Sequence, residues 1–162
     1  MEVTERTLVH IRKATAQDSE LLLSLVHRSF EEYRGKIDPP SSAPDETIDT
    51  IRGRFDQARA LIAERDQVSV GCVFYQRMAE NVYLFRLSVL PEYRRRGIAR
   101  SLIEHVERIA GAMGLPVRLG VRIALPENQA YYGRMGYRVV EYQTHPGYAS
   151  PTWVMMEKDP QS

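Results

Sequence analysis

Between Leu87 and Ala99 the chain reads Leu87-Ser88-Val89-Leu90-Pro91-Glu92-Tyr93-Arg94-Arg95-Arg96-Gly97-Ile98-Ala99. The pattern is a strand that ends at a proline, a short turn, and a helix that begins near a glycine. The first turn of a helix carries N–H donors without intrahelical partners and a partial positive charge, so it can hold a phosphate. Gly97 and Ala99 keep the surface bare enough for backbone to approach an anion, and Arg94, Arg95 and Arg96 surround the donors with charge. Cations at a helix N-terminus oppose the macrodipole by about 0.3–1 kcal/mol each. Three of them together are locally unfavourable unless an anion is expected, which weighs against a plain solvated arginine run. The segment is not a Walker loop, since GxxxxGK[ST] is missing, nor a dinucleotide fingerprint, since GxGxxG is missing.

The segment resembles the acyl-CoA pyrophosphate motif of the GNAT superfamily of N-acetyltransferases. Val89, Pro91, Tyr93, Arg94, Gly97, Ile98 and Ala99 all match its Val-x-Pro-x-[Tyr/Phe]-[Arg/Gln]-x-x-Gly-[Ile/Leu]-[Gly/Ala] pattern. A second family motif appears in compact form as Asn128-Gln129-Ala130-Tyr131-Tyr132-Gly133-Arg134-Met135-Gly136-Tyr137. Two linked motifs in order are far more specific than RRRGIA alone, and the resemblance extends from about Val9 to Lys158. It implies a fold in which two neighbouring parallel strands, ending at Val89 and near Arg122, splay apart to admit the pantetheine arm. It further implies that Leu87 and Val89 offer backbone groups to that arm. Arg94, Arg95, Arg96, Gly97, Ile98 and Ala99 would surround the pyrophosphate, Asn128 would touch the pantetheine, and Tyr132 would sit near the sulfur. The spacing from Asn128 to Tyr132 is shorter than the usual family form.

Acetyl transfer from a thioester needs a neutral amine, a stabilised oxyanion and a proton for the departing thiolate. A lysine amine near pKa 10.4 is neutral about once in 2,500 molecules at pH 7, whereas an α-amine near 7.7–8.0 needs far less help. Many relatives carry a glutamate on the strand before the pyrophosphate loop. Here that place falls at Tyr83 or its neighbours in Val82-Tyr83-Leu84-Phe85-Arg86, without a carboxylate, and Glu80 just before the strand is the nearest substitute, acting through water. Tyr132, four residues before Gly136 as the motif has it, is the catalytic candidate, as a proton or hydrogen-bond donor to the sulfur. Tyr131 beside it reads as packing. A phenol near pKa 10 is weaker than a thiol near 8.5, so a hydrogen bond to the developing thiolate is the more economical role.

The elements that must position these residues follow from periodicity. Leu8–Lys13 alternates as a half-buried strand. Thr15 and Asp18 resemble a capping box before a first helix over about 17–33, whose apolar stripe includes Leu22, Leu25 and Val26. Asp38-Pro39-Pro40-Ser41-Ser42-Ala43-Pro44 reads as a loop, and Ile48, Ile51, Phe55 and Ala58 mark a second amphipathic helix. Ala60–Glu64 and Val68–Arg77 read as strands paired around Arg65-Asp66-Gln67, and Val82–Val89 as another. A long helix from Gly97 carries Ala99, Leu102, Ile103, Val106, Ile109, Ala110 and Met113 on its core face and stops at Gly114 and Pro116. Val117–Ile123 is a strand, Asn128–Met135 a short helix, and Tyr137–Tyr142 and Thr152–Glu157 the closing strands. The order βααβββαβαββ implies an α+β fold, a mixed and mostly antiparallel sheet flanked by helices.

The 162 residues fit a single domain over 1–162, with its core at about 8–158. Hydrophobic residues at 43% and charged residues at 27% exclude a disordered chain. A formal charge of +1 with no wider basic face argues against a nucleic-acid contact through Arg94–Arg96, and so against that partner. The one cysteine, Cys72, excludes an internal disulfide and reads as buried and inert, while Trp153 reads as packing. His10, His27, His105 and His145 show no metal-ligand spacing, so no metal is expected; His145 is a candidate for the acceptor site. No long apolar run and a polar start lead to the expectation of a cytoplasmic protein without a membrane partner. The reading that follows is an acetyl-CoA-dependent N-acetyltransferase acting on a primary amine by direct attack in a ternary complex. Its rival is a catalytically silent acyl-CoA-binding or interaction module. A homodimer is common for such folds, though nothing in these residues supports one. The acceptor is left to the Pro39–Pro44 loop, the second helix and the Thr144–Pro151 loop.

Overall fold

The computed structural model describes residues 9–160. Leu8, the first residue of the expected opening strand, lies outside them. Seven strands form one sheet: β1 (Val9–Lys13), β2 (Arg59–Arg65), β3 (Val68–Arg77), β4 (Val82–Val89), β5 (Val117–Arg122), β6 (Arg138–Gln143) and β7 (Trp153–Lys158). Four α-helices accompany them: α1 (Ser19–Phe30), α2 (Ile48–Arg54), α3 (Ile98–Ala112) and α4 (Pro126–Arg134). The strand order is β1-β2-β3-β4-β5-β7-β6, antiparallel at every pair but one. The expected α+β class and element order are both present.

Local signals account for most boundaries. Thr15 and Asp18 do form the capping box, with the Asp18 carboxylate accepting from the Thr15 N–H at 2.8 Å. The box starts a 3₁₀ turn that leads into α1, and a second 3₁₀ turn at Glu31–Tyr33 takes up the end of the longer helix expected there. The β2–β3 hairpin turns on Asp66 and Gln67, both at positive φ as a two-residue primed turn requires. α4 begins at Pro126 rather than Asn128, because a proline is well placed in a first helical turn, where its missing N–H costs no bond. Ile48 and Met113, expected on buried faces, are 37% and 41% exposed. They stand at helix ends, beyond the reach of the sheet.

The sheet separates two apolar layers. On one face Ile98, Leu102, Ile103, Val106 and Ala110 of α3 pack on Val82, Leu84, Leu119 and Val121. On the other Leu22, Leu25, Val26 and Ile51 of α1 and α2 pack on Ala60, Ile62, Cys72 and Phe74. A strand with alternate side chains committed to two filled layers has one permissible register, and this is what holds β4 and β5 in place.

Two irregularities in β4 open the sheet. Its pairing with β3 passes from Phe74↔Phe85 to Cys72↔Ser88, so Val73 opposes both Arg86 and Leu87, a β-bulge with Arg86 at φ 53°. Opposite the bulge, β3 approaches so closely that a Cβ on Gly71 would lie 2.7 Å from the Ser88 carbonyl oxygen. On its other side β4 pairs with parallel β5 only at Val82↔Val117 and Tyr83↔Arg118. β5 meanwhile pairs with β7 along its whole length, from Val117↔Lys158 to Arg122↔Trp153. The two parallel strands therefore part beyond Tyr83.

Candidate active site

The gap between β4 and β5 is the inner end of an open cavity of about 910 Å³. Leu87 and Val89 line it from β4, and Leu119, Val121 and Arg122 from β5. Its outer end is the start of α3. Gly97 precedes that helix at φ 80°, and no side chain caps the first turn. The first helical bond is made by the Ser101 N–H to the Gly97 carbonyl, which leaves the Ile98, Ala99 and Arg100 N–H groups for an outside acceptor. Arg95 also lies in the left-handed region at φ 63°. A turn that alternates hand in this way points successive N–H groups into one concavity suited to an anion. A non-glycine residue there costs about 1–2 kcal/mol, and a helix start needs no such conformation merely to begin. Nothing lies within 4 Å of a Cβ built on Gly97, so its φ, not crowding, calls for glycine.

The arginine run divides into three different environments. Arg94 turns inward: its Nε–H donates to the Val89 carbonyl at 3.2 Å, its Nη2 to the Ser29 carbonyl at 2.8 Å, and its Nη1 to Glu32. It ties the turn to the end of α1, and burial lowers its pKa. Arg95 is exposed and lines the cavity. Arg96 is exposed, with its guanidinium 5.8 Å over the Tyr93 ring, and is not part of the lining. Ile98 is buried beneath the helix start, whereas Gly97 and Ala99 face the cavity mouth.

α4 forms the opposite wall. Asn128, in its first turn, and Tyr132, one turn on, both line the cavity. The Tyr132 ring is wedged edge-on between Tyr131 at 5.4 Å and Tyr137 at 5.9 Å. Burial, with no cation close by, pushes its phenol pKa well above the ordinary value. The phenol is thus a poor source of a fully transferred proton and a permanent hydrogen-bond donor at neutral pH.

The sheet face on the α1–α2 side continues the cavity into a chamber. Tyr83 and Phe85 stack at 5.7 Å on β4. A Cβ on Gly120 would lie 3.2 Å from the Trp153 ring and 3.4 Å from the Tyr83 hydroxyl, so only glycine leaves this floor flat. Trp153, expected as packing, lines the cavity. His145 lines it too, its Nδ1 hydrogen-bonded to the Thr152 hydroxyl, and burial followed by Arg122 lowers its pKa, which favours the neutral ring. Glu80 is placed elsewhere. It is exposed before the start of β4, on the Arg118 side, at the end of the strand away from the gap. Cys72 is fully buried and burial raises its thiol pKa to about 12, as an inert core cysteine requires.

Three chamber features carry no sequence signal as a site. Glu46 is buried, and its carboxylate accepts from the Thr50 hydroxyl at 2.6 Å, from Arg54, and from the Arg86 Nε–H at 2.9 Å. Burial alone would raise its pKa, but these bonds more than offset it, and the carboxylate stays ionised. Arg86 also donates to the Ser42 hydroxyl at 2.9 Å, pinning the loop after α1 to the bulge. Arg122, at the end of β5, donates to the Pro39 and Pro40 carbonyls of the same loop. Only the arginines could have drawn attention, and nothing in their spacing links them to residues 39–46.

Comparison with known proteins agrees with this architecture. The model of the acetyltransferase (GNAT) family matches residues 22–137. An uncharacterized N-acetyltransferase of Chlorobaculum tepidum is 28% identical over 140 residues, covering 84% of this chain and 79% of its own. Among solved structures, the PaiA N-acetyltransferase from Thermoplasma acidophilum, in complex with coenzyme A, superposes with a TM-score of 0.73 at 22% identity, over 93% of this chain and 98% of that one. The ribosomal-protein-S18-alanine N-acetyltransferase from Escherichia coli superposes with a TM-score of 0.74 at 17% identity, over 95% of each chain. Identities this low show a shared fold and nothing more about substrate. Among the described residues no helix is long and apolar enough to cross a membrane, and no group of three or more His, Cys, Asp or Glu side chains is placed to hold a metal.

Proposed function

Given that the chain belongs to the GNAT acetyltransferase family, we propose that it moves an acetyl group from acetyl-CoA to a primary amine by direct attack in a ternary complex. The observation that carries this is the continuity of one cavity from the uncapped first turn of α3, through the β4–β5 gap, to the chamber walled by Tyr83, Trp153 and Arg122. A long anionic thioester fits that path with its phosphates at the mouth and its reacting carbon in the gap.

The chain's own groups divide the work. The N–H groups of Ile98 and Ala99, with Gly97 and Arg95, hold the pyrophosphate; Arg94 holds the turn in shape from behind, and Arg96 adds long-range charge. The backbone of Leu87 and Val89, with Asn128 opposite, keeps the pantetheine extended. The amine nitrogen forms its bond to the thioester carbon as the C–S bond breaks. Tyr132 donates a hydrogen bond to the sulfur as charge develops there, the amine's surplus proton passes to water, and the departing thiolate takes its proton from water. Because the stretch Val82–Arg86, where the family resemblance would place a glutamate, has no carboxylate, the reading favours amines that lose a proton readily, such as an α-amine near pKa 7.7–8.0.

Thiol release from acetyl-CoA across a panel of small amines and peptides, beside calorimetry with CoA, tests the reading. Amine-dependent thiol release is the expected result. CoA binding without release for any amine would instead establish the silent module, and no CoA binding would overturn both.

A further inference from the structure

One guanidinium of the chamber, that of Arg122, has no ion-pair partner among the described residues. Six arginines line the whole cavity, and Glu127, exposed in the first turn of α4, is the one described carboxylate among the lining residues. Two of the arginines, Arg86 and Arg122, belong to the chamber on the α1–α2 face, across the sheet from α3. Arg86 has a counter-ion in Glu46, which it shares with Arg54. Arg122 has none: its described partners are the Pro39 and Pro40 carbonyls, which are neutral. Those two bonds use one N–H on each terminal nitrogen. The Nε–H and two terminal N–H groups of the same planar fork are left over. A guanidinium fixed in direction by backbone carbonyls, half withdrawn from water and left without an acid, is prepared for an anionic ligand.

On the reading given above, we infer that the acceptor is an amine that itself carries an acidic group, carboxylate or phosphate, held at Arg122. The alternative role for Arg122, a clasp for the Pro39–Pro40 loop, uses two of its five donors and explains neither the missing counter-ion nor the three donors left over. A cationic acceptor such as a lysine-rich peptide would meet Arg122 and Arg86 with like charge. Burial, with Arg86 adding to it and Tyr148 partly opposing, weakens the Arg122 guanidinium's hold on its proton, which marks the site as under-compensated.

The test compares each amino acid with its own carboxamide as acceptor, and ethanolamine phosphate with ethanolamine, by thiol release from acetyl-CoA, with kcat/KM referred to the neutral-amine fraction because the acidic group raises the pKa of the neighbouring amine. The acid should exceed its neutral partner by about tenfold to a hundredfold in kcat/KM, as one charged hydrogen-bonded pair implies. Whichever pair shows the larger ratio identifies carboxylate or phosphate. Arg122→Gln should reduce the acid to the level of its neutral partner, Arg122→Lys should restore part of the difference, and CoA affinity should not change. Equal kcat/KM for acid and neutral forms in the parent protein overturns the inference even if Arg122→Gln fails to fold. A fall in CoA affinity in a folded Arg122→Gln protein also overturns it, by assigning Arg122 to the CoA phosphates. The same pairs are measured by calorimetry as N-acetylated products in the presence of CoA. Preferential binding of the acidic product without any turnover would uphold the anion subsite while the acetyltransferase reading fails. Equal binding of the two products without turnover would reject both.

Discussion

Arg86 reaches Glu46 at 2.9 Å from a residue whose own backbone is left-handed, at φ 53°. The bulge that opens β4 and the loop that roofs the chamber are therefore stabilised by one ion pair. The carboxylate is 3% exposed and has three partners, so removing it leaves two arginines facing each other without compensation. Breaking a buried pair by deleting one member costs about 3–5 kcal/mol. Glu46→Ala should lower unfolding free energy by about 3 kcal/mol, since the side chain of Arg54 can still turn to water. Urea unfolding monitored by circular dichroism measures it, and a loss under 1 kcal/mol would show the pair to be dispensable.

The same carboxylate predicts a pH dependence. Its pKa in the folded chain lies below the ordinary 4.5, so the unfolded chain binds the proton more readily. Stability from Glu46 is fully present above the ordinary carboxylate range and is lost as pH falls through the folded value. The difference in stability between the parent and Glu46→Gln should shrink on acidification below about pH 4.5. A constant difference from pH 7 to pH 3 would assign the effect to packing.

Gly97→Ala and Gly97→Glu separate conformation from anion binding. Either should lose about 1–2 kcal/mol of stability to the left-handed φ, since open space surrounds the Cβ. Only the glutamate also places negative charge where phosphates must sit. Calorimetry should find CoA binding weakened in the alanine variant and abolished in the folded glutamate variant. Parent-like CoA affinity in Gly97→Glu would remove the α3 start from the site.

Single alanine substitutions in the arginine run should behave unequally. Arg95→Ala should weaken CoA by about 1–2 kcal/mol, Arg96→Ala by a few tenths, and Arg94→Ala should act chiefly by loosening the turn that it ties to Ser29 and Val89. CoA affinity should also decline with salt, since the screening length is about 8–10 Å near physiological ionic strength. Three equal effects would mean a diffuse field in place of a built turn.

Tyr132→Phe should leave acetyl-CoA binding almost intact and lower kcat by about a hundredfold, the lower range for acid assistance. Tyr131→Phe is the control. Because burial raises the Tyr132 pKa, its loss should be uniform from pH 6 to pH 9, with no break that belongs to the phenol. A parent-like kcat in Tyr132→Phe would leave water as the hydrogen-bond donor to the departing sulfur.

What lies close together in sequence was legible there, because helices, turns and caps are short-range devices. The apolar stripe of α3, the Thr15–Asp18 box, the Asp66–Gln67 turn and the uncapped helix start at Gly97 each depend on neighbours within a few residues. The parallel strands that end at Val89 and Arg122 came from resemblance, since periodicity carries no strand order. Pairings across long stretches of chain were decided by tertiary structure alone. Arg94 bonding to Ser29, Arg86 meeting Glu46, and Arg122 meeting Pro39 all join distant segments. An arginine has the same propensities whether it faces solvent, a carboxylate or a carbonyl. Its partner is chosen only when two packed layers fix the register of β4 and β5 and bring a loop of fixed length over their ends.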